Sequence, residues 1–210
     1  MDFRKASMPK KAVILLHGVG SNGADLQPLA QFWRQNNPDI TFITTNAPFP
    51  FDQGIGYQWF SIAGVTEQSR PARIVAARVQ FDRTINDLLN QQGMSLQSDS
   101  IMLAGFSQGA IMALDALVTQ RFPLAGVISF SGRLASPEPF VQGHGLKALL
   151  IHGKSDPVIP YTESENAATK LRSAGFNIQS LYETGSGHTI TTAGAITASE
   201  FISECLNLNG

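Results

Sequence analysis

Cysteine is almost missing from this chain: Cys205 is the only one. An internal disulfide is therefore excluded, and the chain is compatible with a reducing cytoplasm. Charge is scarce as well, at 15% of residues, with 15 Lys and Arg against 16 Asp and Glu and a formal net charge of −1. No run of lysine or arginine occurs, which argues against nucleic acid as the main partner. Purely apolar runs stop at four to six residues, as in Ala12 to Leu16, far short of the roughly 20 that a membrane span needs. Met1-Asp2-Phe3-Arg4-Lys5 leads into no apolar signal core, so the expected location is the cytoplasm. The four histidines lack ligand spacing such as H-x-x-x-H, and neither a metal nor a cofactor is expected. What is abundant is apolar side chain, 43% of 210 residues. That suits one domain over 1–210 with a sizeable core, not two domains and not a disordered chain.

Short apolar runs alternate with longer amphipathic ones. Expected strands are Ala12 to Leu16, Ile40 to Thr45, Ser100 to Ala104, Leu124 to Phe130, Leu146 to Ile151 and Asn177 to Tyr182. Expected helices run from about Asp25 to Gln35, Pro71 to Gln92, Ala110 to Val118, Tyr161 to Ala174 and Thr192 to Leu206. In the second helix, Ile74, Val75, Val79, Ile85 and Leu88 supply the apolar face. Six strands alternating with helices imply an α/β fold, a mostly parallel sheet covered on both faces. Such sheets bind ligands beyond the carboxyl ends of their strands. Ala47 to Ser69, 23 residues punctuated by Pro48, Pro50, Gly54, Gly56 and Gly64, is too long for a plain connection and is the candidate substrate-facing loop.

Gly105-Phe106-Ser107-Gln108-Gly109 is a G-x-S-x-G pentapeptide between a strand and a helix. A turn this sharp strains its central residue, and glycines two places either side relieve the crowding. Ser107 is thus the candidate nucleophile, held at a helix N-terminus where a developing oxyanion is favoured. A serine needs a base and an acid, following it in the chain in the order acid, histidine. His188 sits in a loop between the last strand and the last helix. His152 ends a strand, where packing is the commoner role, and His144 lies in a polar glycine-flanked loop. For the acid, Asp156 directly follows a strand and is favoured over Glu183, its main competitor. Asp115 points away along its helix, Glu138 is in a proline-flanked loop, and Glu163 and Glu165 read as helical surface charges.

An oxyanion hole needs two donors. The backbone N–H of Gln108 is one, and the glycine-rich Leu16-His17-Gly18-Val19-Gly20-Ser21-Asn22-Gly23 offers the N–H of Val19 as the other. Gly18-x-Gly20-x-x-Gly23 also fits a dinucleotide loop, but the next strand ends in Thr44-Thr45-Asn46, without the ribose-binding carboxylate.

Taken together, Leu16-His17-Gly18-x-Gly20, Trp59-Phe60, Gly105-Phe106-Ser107-Gln108-Gly109, His152-Gly153-x-x-Asp156-x-Val158 and Gly187-His188 resemble the phospholipase/carboxylesterase family of α/β-hydrolases. This family includes acyl-protein thioesterases and small bacterial carboxylesterases, and the likeness is greatest to the bacterial branch. The resemblance implies an α/β-hydrolase fold without a large lid, triad roles for Ser107, Asp156 and His188, and oxyanion roles for Val19 and Gln108. It also singles out Trp59 and Phe60 as substrate-binding residues. Phe49 and Phe51 are open between an acyl wall and ordinary packing. Ser21 stands where the thioesterase branch has an acidic residue, and Ala110 where it has a third glycine. The expected function is a serine carboxylesterase for small to medium acyl esters or thioesters. Its rivals are a long-chain acyl-protein thioesterase or lysophospholipase, and a non-catalytic binding module. The apolar loop leaves a homodimer contact open.

Overall fold

The computed structural model describes residues 8–206. The stretch Met1 to Lys5 lies outside the described residues. Its large sheet has six parallel strands, β1 (Lys11–Leu16), β2 (Thr41–Thr45), β5 (Ser100–Phe106), β6 (Leu124–Phe130), β7 (Lys147–Gly153) and β8 (Asn177–Glu183), in the order β2-β1-β5-β6-β7-β8. Helices α1 (Gln27–Asn36), α2 (Arg70–Gln91), α3 (Gln108–Thr119), α4 (Thr162–Ser173) and α5 (Thr192–Leu206) cover it.

Alternation along β1 divides the core. Ala12, Ile14 and Leu16 join the cluster under α2, α3 and α4 with Ile74, Met112 and Leu171. Val13 and Leu15 point the other way, to Trp33 of α1 and Phe201 of α5. This is the two-sided burial expected of a parallel sheet. Helix α3 is buried from Gln108 to Val118, because sheet and α2 enclose it.

Three details differ from the sequence-based expectation. A 3₁₀ turn (Gly23–Leu26) precedes α1, started by the Asn22 side chain, which accepts the N–H groups of Ala24 and Asp25. The buried stripe of α2 is Ile74, Ala77, Phe81, Ile85 and Leu89, whereas Val79 is 73% exposed. Val75 lies one position, and Val79 two positions, from the nearest members of that stripe, and both turn outward. Finally, the long loop folds into a small antiparallel hairpin of β3 (Phe49–Pro50) and β4 (Tyr57–Gln58). Gly56 (φ +87°) makes it possible, since a Cβ there would lie 2.4 Å from Gly20 O.

The strand order reverses between β1 and β5, which pair Leu16 with Gly105 at their carboxyl ends. The loops leaving these two strands therefore lie side by side at the crevice where open α/β sheets bind ligands.

Candidate active site

Ser107 is the residue at which β5 turns into α3, at φ 53° and ψ −115°. A side-chain-bearing residue rarely adopts such a conformation unless its surroundings impose it. The constraint is visible: its N–H donates to Phe130 O at 2.9 Å, while α3 presses on the loop beyond β1. A Cβ on Gly109 would sit 2.2 Å from Leu16 O, and one on Gly105 2.4 Å from Ala110 N. Both glycines of the pentapeptide are required by backbone contact.

His188 reaches this serine from the loop after β8. Its Nε2 lies 3.0 Å from Ser107 Oγ and its Nδ1 2.6 Å from Asp156 Oδ2. A carboxylate can only accept, so Nδ1 carries the proton and the Nε2 lone pair faces the serine hydroxyl. Asp156 Oδ1 accepts the N–H groups of Val158 (2.8 Å) and Ile159 (2.9 Å). Burial on its own would raise the Asp156 pKa. The hydrogen bonds from His188 and the two N–H groups outweigh it and hold the carboxyl below its usual range. The loops carrying Asp156 and His188 are laced together: Lys154 N–H donates to Glu183 O and Ser155 N–H to Ser186 O.

The alternative residues lie elsewhere. Glu183 accepts from Thr191 Oγ at 2.5 Å. His144 is exposed. Asp115 is fully buried, bound by Arg78, Arg121 and Ser136. His152 is packed and hydrogen-bonded, yet not remote. Its Nε2 faces Ile159 O (2.8 Å) and Asp156 Oδ2 (3.1 Å), and Nδ1 faces Ser164 Oγ (2.7 Å). With two acceptors before it, Nε2 must carry a proton, so His152 supports the carboxylate from behind. Burial lowers the His152 pKa and keeps the ring neutral.

On the other side of Ser107, no protein acceptor among the described residues takes the N–H of Val19 or of Gln108. The Gln108 N–H also stands at the positive end of α3. Two side chains with no role readable in the sequence anchor this region. Buried His17 receives the Ala47 N–H on Nε2 (2.9 Å) and sets Nδ1 against Gly18 O (2.7 Å). The Gln108 amide accepts from Trp59 N–H and donates to Phe60 O, each at 2.7 Å. Trp59 is 1% exposed, packed on Phe81 and His17, with its indole N–H on His17 O. A groove of about 620 Å³ opens beside the hairpin, lined by Phe49, Pro50, Trp59 and Phe60 among others. Phe49, 38% exposed, offers far more surface to it than Trp59.

Comparison with known proteins places these residues in context. Residues 3–206 match the family model described as Phospholipase/Carboxylesterase. Among curated proteins, the chain is 33% identical to esterase YpfH of Escherichia coli K12, over 80% of this chain and 72% of that protein. It is 26% identical to acyl-protein thioesterase 1 of Neurospora crassa, over 92% and 86% of the two chains. Among solved structures, esterase PE8 superposes with a TM-score of 0.83 at 38% identity, covering 95% of this chain and 94% of that one. The carboxylesterase of Bacillus cereus, at 20% identity and a TM-score of 0.79 over 94% and 89%, shares the fold.

Proposed function

The chain belongs to the phospholipase/carboxylesterase family of serine hydrolases, and from that premise we propose that it cleaves small to medium acyl esters through an acyl-enzyme on Ser107. The observation that carries this reading is the continuous hydrogen-bonded path from Ser107 Oγ through His188 to Asp156. In the proposed cycle Ser107 Oγ attacks the acyl carbonyl while His188 Nε2 takes its proton. The imidazolium is stabilised by Asp156, whose carboxylate stays ionised because backbone N–H groups support its other oxygen. The free N–H groups of Val19 and Gln108 receive the oxyanion. His188 then protonates the leaving alcohol and activates the water that releases the acid. Phe49 and Phe60 line the acyl wall, and Trp59 holds the wall in place from beneath.

Ser107→Ala should lower kcat/KM for p-nitrophenyl butyrate by about 10³-fold or more, leaving residual oxyanion-hole activity. Near wild-type turnover in that variant would defeat the assignment. Asp156→Asn should cost roughly 10⁴-fold, against little change for Glu183→Gln; the reverse pattern would transfer the acid role. Relatives named acyl-protein thioesterase favour a second reading, a long-chain thioesterase. An acyl-length series across oxygen and sulfur esters separates the two.

A further inference from the structure

The hairpin of β3 and β4 is tied to both candidate oxyanion donors. Gly20 N–H, next to Val19, donates to Tyr57 O at 2.9 Å, while the Gln108 side chain grips Trp59 and Phe60. The groove on this hairpin is lined by the same Trp59 and Phe60 that the Gln108 side chain holds, which sets it next to the segment carrying the Gln108 N–H. Its walls are mostly apolar, Phe49, Phe60 and Ala77 among them, with Gln58 and Ser61 as polar members, and the one charged side chain lining it among the described residues is Arg73, near the start of α2.

Arg73 differs from its neighbours on that helix. Arg70 holds Glu67, Arg78 holds Asp115 and Arg83 approaches Asp87. Among the described residues Arg73 forms no ion pair, and the one hydrogen bond of its side chain is from Nη1 to Ser61 O at 2.7 Å. Asp52, which also meets Ser61, is engaged by the Ser61 hydroxyl. A half-buried guanidinium with spare donors in an apolar groove matches a carboxylate in charge and in fork geometry.

We infer that the groove takes acyl chains ending in a carboxylate, so that half-esters of dicarboxylic acids are the preferred substrates. This rests on the esterase reading of Ser107. The chemistry is unchanged: the Ser107 Oγ–acyl carbon bond forms as the bond to the leaving alcohol breaks. Water then adds to that carbon and Oγ departs, giving a dicarboxylate and an alcohol with no redox step. Arg73 binds the distal carboxylate and takes no part in bond making.

The test compares benzyl half-esters of succinate, glutarate and adipate with benzyl alkanoates of matching length, following benzyl alcohol release by chromatography. In the wild type, one half-ester should exceed its alkanoate in kcat/KM. Arg73→Met should lower the half-ester to alkanoate ratio about tenfold or more, mainly through KM, and Arg73→Lys should restore part of it. The inference is overturned if half-esters hold no advantage in the wild type, or if Arg73→Met lowers both ester classes alike while its melting temperature is unchanged. Hydrolysis of alkanoates without half-ester preference sinks this inference alone. Hydrolysis of neither class, with no fluorophosphonate labelling of Ser107, sinks the esterase reading with it.

Discussion

Gly109→Ala separates local helix propensity from the geometry of the site, because the two predict opposite signs. Gly109 is the second residue of α3. In an ordinary helix interior, alanine is favoured over glycine by about 1 kcal/mol. Here an alanine Cβ would stand 2.2 Å from Leu16 O and 2.7 Å from His17 O, both backbone atoms of the strand and loop that lead to Val19. Neither can rotate away as a side chain would. Restoring contact distance requires α3 and the β1 loop to separate by about 1 Å, and a misplacement of that size at reacting groups costs on the order of 10²-fold. The movement draws the Val19 and Gln108 N–H groups apart, so the loss should fall on kcat. Overpacking should add a stability cost of about 1–3 kcal/mol. Stopped-flow or steady-state kinetics on p-nitrophenyl butyrate, with calorimetric melting on the same samples, measure both. A variant that melts higher than wild type and keeps its kcat would refute the reasoning.

Two further outcomes follow from buried groups. His17 and His152 are held neutral, their pKa values lowered by burial. The unfolded chain therefore binds more protons than the native one below the free histidine value near 6.5. Stability should be flat above about pH 7 and fall as pH drops through 6, by up to about 1.4 kcal/mol per pH unit for each histidine. Asp156, its pKa held low, should add a second loss below about pH 4. A melting temperature constant from pH 7 to 5 would contradict this. Separately, Asp115→Ala strips the fully buried partner from Arg78 and Arg121. Losing one member of such a cluster costs about 3–5 kcal/mol, which at roughly 2–4 °C per kcal/mol for a chain of this size lowers the melting temperature by about 10 °C. A shift under 2 °C would show the cluster to be dispensable.

The sheet was legible because buried parallel strands are apolar runs, and the candidate site because the proposed nucleophile, acid and base each follow a strand. Ser107 was marked by its glycines, Asp156 by the end of β7 and His188 by the loop after β8. Other features were hidden for definite physical reasons. Two-residue strands such as Phe49–Pro50 and Tyr57–Gln58 are too short to carry a period. Their pairing depends on Gly56 meeting the Gly20 backbone, a contact between segments far apart in sequence. The outward turn of Val75 and Val79 has no mark in the sequence, because valine occurs both inside and outside a core.

His17 and the Gln108 side chain expose a more general limit. Their partners are backbone atoms: Ala47 N and Gly18 O for His17, Trp59 N and Phe60 O for Gln108. A backbone atom is present whatever the residue, so nothing in positions 47, 59 or 60 announces the bond. A side chain that pairs with another side chain leaves two chemically matched residues to be found, as Asp156 and His188 do. One that pairs with the main chain leaves a single polar residue among apolar neighbours, and its role emerges only when the fold brings the distant backbone to it. In this chain such bonds align the loop after β1, the start of α3 and the β3–β4 hairpin. The groups proposed to make and break bonds were therefore readable in the sequence, and the side chains that tie the surrounding loops together through main-chain atoms were not.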